Sequence, residues 1–343
     1  MNKIKAKSLP FLVLIFVLSV WANAQNFKIA PNEAKQRIDI LIDGKLFTSY
    51  RYEERIRRPV LLPIITAGGN FVTRGFPVET RNSETIDHPH QVGFSFSYGD
   101  VNEIDYWNNS PYRTPKELEK MGTIVHRKVL KQQGGKGKAE LMTLSEWINP
   151  KGETILFENT KYIFRTEGKT RIIDRETILA ASIDKVIFGD NKEGVLGLRL
   201  ARELEQPNDK PLKITNEKGE ISETTDNSKI TGEFLNSEGL IGDKIWGTES
   251  KWASVSGKIN DENVTVAIFD NKQNLNFPSF MMVRGYGLLA LNPFGRKAFQ
   301  PNLDERKFVL ERGQAIKFKH RLVIYSEKVA LKKIEVDFKK FNK

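Results

Sequence analysis

Apolar residues recur at every second position along much of this chain, the spacing of strands that bury one face. Ile38 and Ile40 alternate with Arg37 and Asp39, Ile42 keeps the period, and Asp43-Gly44 then turns the chain into Leu46-Phe47-Thr48. An Asp-Gly pair between such segments is a strong hairpin signal, because both residues accept the positive φ of a tight turn. Asn149-Pro150-Lys151-Gly152 predicts a second hairpin between Leu144–Trp147 and Thr154–Phe157. Further strands are predicted over Val92–Tyr98, Tyr162–Arg165, Arg171–Leu179, Val186–Phe188, Val195–Ala201, Val264–Phe269, Gly287–Leu291 and Ala315–Tyr325. Their Ile, Val, Phe and Thr content suits a pleated, half-buried surface.

Helical signals are thin. Thr114-Pro115 followed by Lys116–Lys120 predicts one short capped helix. Gln132–Lys138 and Pro207–Ser228 read as long exposed loops, the second as an insertion. Many short strands with turn signals between them predict an all-β fold, a large antiparallel β-sandwich of two sheets. Such units run past about 250 residues as one domain.

The first residues add an address. Lys3, Lys5 and Lys7 precede the apolar run Leu9–Trp21, and Ala22-Asn23-Ala24 supplies a small-residue cleavage pattern. That run is shorter than the about 20 residues that span a bilayer. The expectation is a signal peptide over residues 1–24 and a single sandwich domain over 25–343, periplasmic or secreted, with no membrane insertion after cleavage. The chain has no cysteine, so its stability must come from an ordinary core and thiol catalysis is excluded. Net charge is +11, of which Lys3, Lys5 and Lys7 supply three. The positives are scattered, apart from a run around Lys332, Lys333, Lys339 and Lys340, which argues against a nucleic-acid partner. A scattered basic surface is either simply solvated or attractive to an acidic partner, such as a uronate- or sulfate-bearing glycan.

Histidine is scarce: His88, His90, His126 and His320. His320 shares a strand face with Ile316, Phe318, Leu322 and Ile324, which predicts a core position. Asp87-His88-Pro89-His90 differs, with two imidazoles and a carboxylate at a strand entrance. Pro89 biases His88 toward extended backbone, and residues two apart in an extended chain face one side, so His88 and His90 could converge on one ligand. Imidazole serves as acid, base or metal ligand near neutral pH. A metal would need a third ligand, and His126 is the candidate; the alternative is a loop whose side chains bond only backbone. Asp100, Asp105 and Trp107 interleave carboxylates with an aromatic ring, as a sugar pocket does, or form a packed turn. Arg284-Gly285-Tyr286-Gly287 leading to Asn292 sets a guanidinium and a phenol among glycines. No Walker loop, dinucleotide glycine fingerprint, HExxH or G-x-S-x-G elbow is present, so no nucleotide cofactor is expected.

These motifs in order (Val72-Thr73-Arg74-Gly75, Asp87-His88-Pro89-His90, Gly99-Asp100-Val101-Asn102, Asp105-Tyr106-Trp107, Phe188-Gly189-Asp190, Trp246-Gly247, Arg284-Gly285-Tyr286-Gly287) resemble a bacterial family of exported proteins often labelled methane oxygenase PmoA. The resemblance covers roughly residues 35–325. It implies a supersandwich-like fold, reminiscent of galactose-mutarotase-type folds, and a role with complex carbohydrates. It does not imply methane oxidation, which in the membrane enzyme needs transmembrane helices. This chain departs from the family pattern at Gln91, Asn271 and Met282, where relatives carry histidine. The expectation is an acid/base carbohydrate-active enzyme acting by hydrolysis, elimination or epimerisation on an oligosaccharide or other small polar ligand. His88, His90, Arg284 and Tyr286 would be catalytic. Arg74, Asp100, Asp105, Trp107 and Asn292 would bind substrate, and a divalent metal is the one cofactor that His88, His90 and His126 could hold. The alternatives are a non-catalytic periplasmic glycan-binding protein and a structural exported protein.

Overall fold

The computed structural model describes residues 24–343, so the expected signal peptide lies outside the described residues apart from Ala24. Two antiparallel sheets face each other. The first has ten strands in the order Thr248–Glu249, Phe280–Met281, Leu288–Asn292, Gly194–Arg199, Phe94–Tyr98, Val60–Ile64, Lys45–Arg51, Arg37–Ile42, Asn26–Asn32 and Gly135–Lys136. The second has eight, in the order Glu233–Asn236, Trp252–Ile259, Glu262–Asp270, Ala315–Tyr325, Thr170–Ala181, Thr154–Glu167, Lys138–Ile148 and Thr123–Gln133. The expected antiparallel sandwich is therefore the architecture found.

Both sequence hairpins form. Ile42 pairs with Lys45 across Asp43 and Gly44, which hold φ values of 49° and 79°. Thr154 pairs with Ile148 across the turn at Asn149–Glu153, whose backbone the Asn149 side chain ties down. Thr114 caps the short helix Pro115–Leu118, with Glu117 closing a capping box.

Two expectations need correction, and one element is new. The Gln132–Lys138 segment is no loop: Gln133 ends a long strand, and Gly135–Lys136 pairs with Asn26 and Phe27. Pro207–Ser228 contains a hairpin, Leu212–Thr215 with Ile221–Thr224, which pairs with Glu84–Thr85 as a small third sheet. A helix over Leu331–Phe341 was not expected at all. It buries Ile334, Asp337, Phe338 and Phe341, and its apolar stripe covers Trp252, Phe269, Val323 and Tyr325 on the outer face of the eight-stranded sheet.

The sandwich core interlocks aromatic rings from the two sheets. Phe47 meets Phe164 edge-on at 6.2 Å and Phe96 meets Phe318 at 5.9 Å between ring centroids. His320 is buried beside Phe96 and Phe318, as its strand alternation requires. One buried polar network sits in this core. Glu158 accepts from Arg175 at 2.7 Å, from the Trp147 indole at 2.8 Å and from Thr160 at 2.7 Å, and Arg175 also bonds the Tyr162 hydroxyl. Removing one partner of a buried ion pair leaves a naked charge in low dielectric. Arg175→Met should therefore cost about 3–5 kcal/mol of stability, read by urea denaturation, whereas Arg175→Met combined with Glu158→Gln should recover part of that loss.

Candidate functional site

On the strand Gly194–Arg199, Leu196 and Leu198 point into the sandwich core, so alternation puts Gly197 and Arg199 on the outer face of the ten-stranded sheet. Glycine is required at 197: a Cβ there would meet the Trp107 ring at 2.7 Å. Beside that indole the segment Asp87–Gln91 folds down onto the sheet. Arg74, with no solvent exposure, clamps it by donating to the carbonyls of Thr85, Asp87, His88 and Gln91 at 2.8–3.3 Å. Its guanidinium also pairs with Asp87 Oδ1 at 2.7 Å, and Arg199 reaches the same carboxylate at 2.7 Å. Burial opposes ionisation of Asp87, but Arg199, His88 and Arg74 together hold its carboxyl far below the ordinary range.

The clamp also reshapes the histidine motif. Gln91 N–H donates to His88 O at 2.9 Å, closing a tight turn, and His88 takes a φ of +42° instead of extended backbone. The two imidazoles are therefore presented by a turn and not by an extended chain. His88 is partly exposed, its Nδ1 2.5 Å from Asp87 Oδ2 and its ring parallel to that of Tyr286 at 4.5 Å. His90 is buried beneath, 5.8 Å from His88 between ring centroids. Burial, with Arg58 nearby, pushes the His90 pKa down to about 2, so it is neutral. Tyr286 is fixed from behind: its hydroxyl accepts from Gln91 at 3.3 Å, and the Arg199 guanidinium lies 4.8 Å from its ring centroid. Burial raises the tyrosine pKa.

His88, Tyr286, Arg284 and Glu205 line a cleft of about 1950 Å³. The small third sheet contributes Lys213 and the segment leading into it Lys210, the turn before Trp246 contributes Asp243 and Lys244, and the C-terminal helix contributes Leu331 and Ile334. Glu205 accepts from the Thr85 hydroxyl at 3.0 Å and lies 3.5 Å from Arg199. Burial raises its pKa to about 7, with Arg199 opposing.

Of the expected site residues, the structure brings His88, His90, Arg284 and Tyr286 to this cleft. The others have structural roles. Arg74 is sealed beneath the loop it clamps and is not free to grip a substrate. Asp105 accepts from the backbone of Trp107 and Asn108 at 2.8 and 2.9 Å, which consumes the carboxylate, and Trp107 itself is buried against the sheet. Asp100 caps the turn at Glu103, and buried Asn292 accepts from Phe294 and Gly295 N–H. His126 lies elsewhere, its Nδ1 3.1 Å from the Tyr50 hydroxyl and its ring against Tyr52 at 4.4 Å. Among the described residues no group of three His, Cys, Asp or Glu side chains converges to hold a metal. The sequence reading missed Arg199 and Glu205. A lone arginine in the otherwise apolar strand was a signal for the first; nothing marked the second.

These features define a large antiparallel β-sandwich with an imidazole-bearing cleft on the outer face of one sheet. The chain belongs to DUF6807, a family of unknown function whose model matches residues 37–339. No curated protein matches it. Among solved structures it is similar to the galactosidase domain of an alpha-galactosidase-sucrose kinase, at 9% identity and a TM-score of 0.41, over 88% of this chain and 42% of that one. It is also similar to a putative aldose 1-epimerase from Escherichia coli K12, at 10% identity and a TM-score of 0.32, over 88% and 99% of the two chains. A galactose mutarotase-like protein from Clostridium acetobutylicum gives 9% identity and a TM-score of 0.35, over 88% and 99%.

Two outcomes follow from the electrostatics. Asp87→Asn removes the carboxylate that pairs with both Arg74 and Arg199, leaving only Glu205 within 4.0 Å of Arg199, and should cost about 2 kcal/mol or more in urea denaturation. Glu205 has a folded pKa above its ordinary 4.5, so its contribution to stability is present below about pH 4.5 and lost as pH rises through about 7. The melting temperature of Glu205→Gln relative to the parent should therefore rise between about pH 4 and pH 8. A difference that stays flat across that range would show that Glu205 titrates normally.

Proposed function

We propose that the cleft binds a carbohydrate and that His88 transfers a proton on it. The observation that carries this reading is the His88 imidazole, fixed at Nδ1 by Asp87 and laid flat on Tyr286 in the wall of the cleft. A carboxylate on one ring nitrogen sets the tautomer, leaves the other nitrogen for a ligand and stabilises the imidazolium once it forms. Glu205, with a pKa near 7, supplies a second group that can gain or lose a proton at neutral pH. One group to take a proton and another to give one is the common need of hydrolysis, β-elimination and epimerisation. Exposed Ile241 and Leu331 beside polar groups offer the mixed surface that a sugar ring uses. An exported chain would meet such ligands outside the cytoplasm. The methane oxygenase label has no part in this reading: no helix among the described residues is long and apolar enough to cross a membrane.

A glycan-binding protein without turnover is the second reading. It is favoured by Gln91, a side chain that cannot titrate, locked between Arg199 and Tyr286 where the resembled family carries histidine. Incubation with neutral and uronate trisaccharides, followed by NMR for products and calorimetry for binding, separates the two. Conversion that falls about 10²–10⁴-fold in His88→Asn, with the melting temperature kept, supports proton transfer. Binding without conversion leaves the binding protein, and neither binding nor conversion sinks both.

A further inference from the structure

The cleft holds more positive charge than its own carboxylates neutralise. Asp87 is paired with two arginines, Glu205 lies 3.5 Å from Arg199, Glu193 3.9 Å from Lys192 and Glu233 2.7 Å from Lys328. Asp243 alone among the cleft carboxylates has no cation within 4.0 Å among the described residues, and its Oδ1 accepts from Gly285 N–H at 3.0 Å. Against it stand Arg284, Lys210, Lys213 and Lys244, which line the same cleft with no ion pair among the described residues.

Arg284 is the built member of that set. Its N–H donates to Leu288 O at 3.0 Å, and its carbonyl accepts from Gly287 N–H at 3.0 Å, so a tight turn presents Arg284 and Tyr286 together. Gly287 takes a φ of +89°, a conformation that an L side chain would strain. The guanidinium carbon lies 4.6 Å from the ring centroid of Trp246, stacked on the indole. Stacking orients the planar fork and limits its rotamers, yet among the described residues no carboxylate lies within 4.0 Å of it. Arg74 and Arg199 differ in this respect, because each pairs with Asp87 and Arg199 also lies beside Glu205.

We infer that Arg284, backed by Trp246 in a cleft that Lys213 and Lys244 also line, is a subsite for an anionic group on the sugar, a ring carboxylate or a sulfate. A guanidinium fork meets either group with two parallel N–H···O bonds, and the surplus lysines raise the local concentration of an anionic ligand. The inference rests on the carbohydrate reading above and names its substrate class.

The test is calorimetry of the intact mature chain with trigalacturonate, a sulfated galactotriose and neutral galactotriose, at low and at raised salt. At low salt an anionic trisaccharide should bind about tenfold tighter than the neutral one or more, with the gap narrowing as salt screens the rim. Preference between the two anions identifies carboxylate or sulfate. Arg284→Gln should shrink the anionic preference about tenfold while Arg284→Lys keeps part of it. Lys213→Gln with Lys244→Gln, at two exposed positions, should flatten the salt dependence and serves if Arg284→Gln melts early. Equal binding of neutral and anionic sugars overturns this inference and leaves the carbohydrate reading standing. An anionic preference untouched by Arg284→Gln and by the double lysine variant overturns the assignment of the subsite. Binding of none of the three overturns both.

Discussion

The site depends on one carboxylate between two buried guanidiniums. Asp87, in the loop, meets Arg74, whose backbone bonds that of Arg199, and Arg199 itself on the sheet, so its carboxylate fastens the loop to both. Without it Arg74 would lose its one carboxylate partner within 4.0 Å among the described residues, and Arg199 would keep only Glu205. Taking a cation out of water without a close partner is costly. Burial does lower the Arg74 pKa to about 9, yet it stays protonated at neutral pH and keeps the pair ionic. The same contact accounts for the left-handed His88: four carbonyls bonded by Arg74 over-determine the path of the loop and offset about 1–3 kcal/mol of backbone strain.

Placing chemistry outside the sandwich leaves its interior free to be an ordinary core. The inner faces are filled with aromatic and aliphatic side chains, and the polar cluster around Arg175 and Glu158 is satisfied from within. The outer face of the ten-stranded sheet carries a second apolar layer of Trp107, Phe280, Met282, Leu288, Ala290 and Phe299. His90 and Gln91 line a small cavity with Trp107 and Leu288 of that layer, and His90 is buried and neutral there.

Much of the strand layout was legible because period-two alternation and turn residues are local signals. Asp43-Gly44, the Asn149 turn and the Thr114 capping box needed no tertiary information. The C-terminal helix carried a readable stripe in Ile334, Phe338 and Phe341, but its lysines dominated the reading of that segment. The hairpin at Leu212–Thr215 looked like a polar loop because it is a small ribbon whose side chains are mostly solvated. For the site, motif identity drew attention to His88, Arg284 and Tyr286. It could not separate them from Arg74, Asp105, Trp107 and Asn292, whose motifs encode packing and capping. Glu205 was invisible because its pKa depends on burial beside Arg199, over a hundred positions from Asp87.

The small third sheet ties the cleft wall to the histidine in a mechanical sense. Glu84–Thr85 is its edge strand, paired with Leu212–Thr215, and Asp87 follows two residues later along the same backbone. The hairpin carrying Lys213 is thus stitched by main-chain bonds to the segment that aims the imidazole. A wall that swings outward to admit a bulkier ligand would pull on that segment, so breadth of recognition and the aim of the ring are geared to each other. Remodelling one by changing the hairpin's length would be felt at the other, even with every cleft side chain kept.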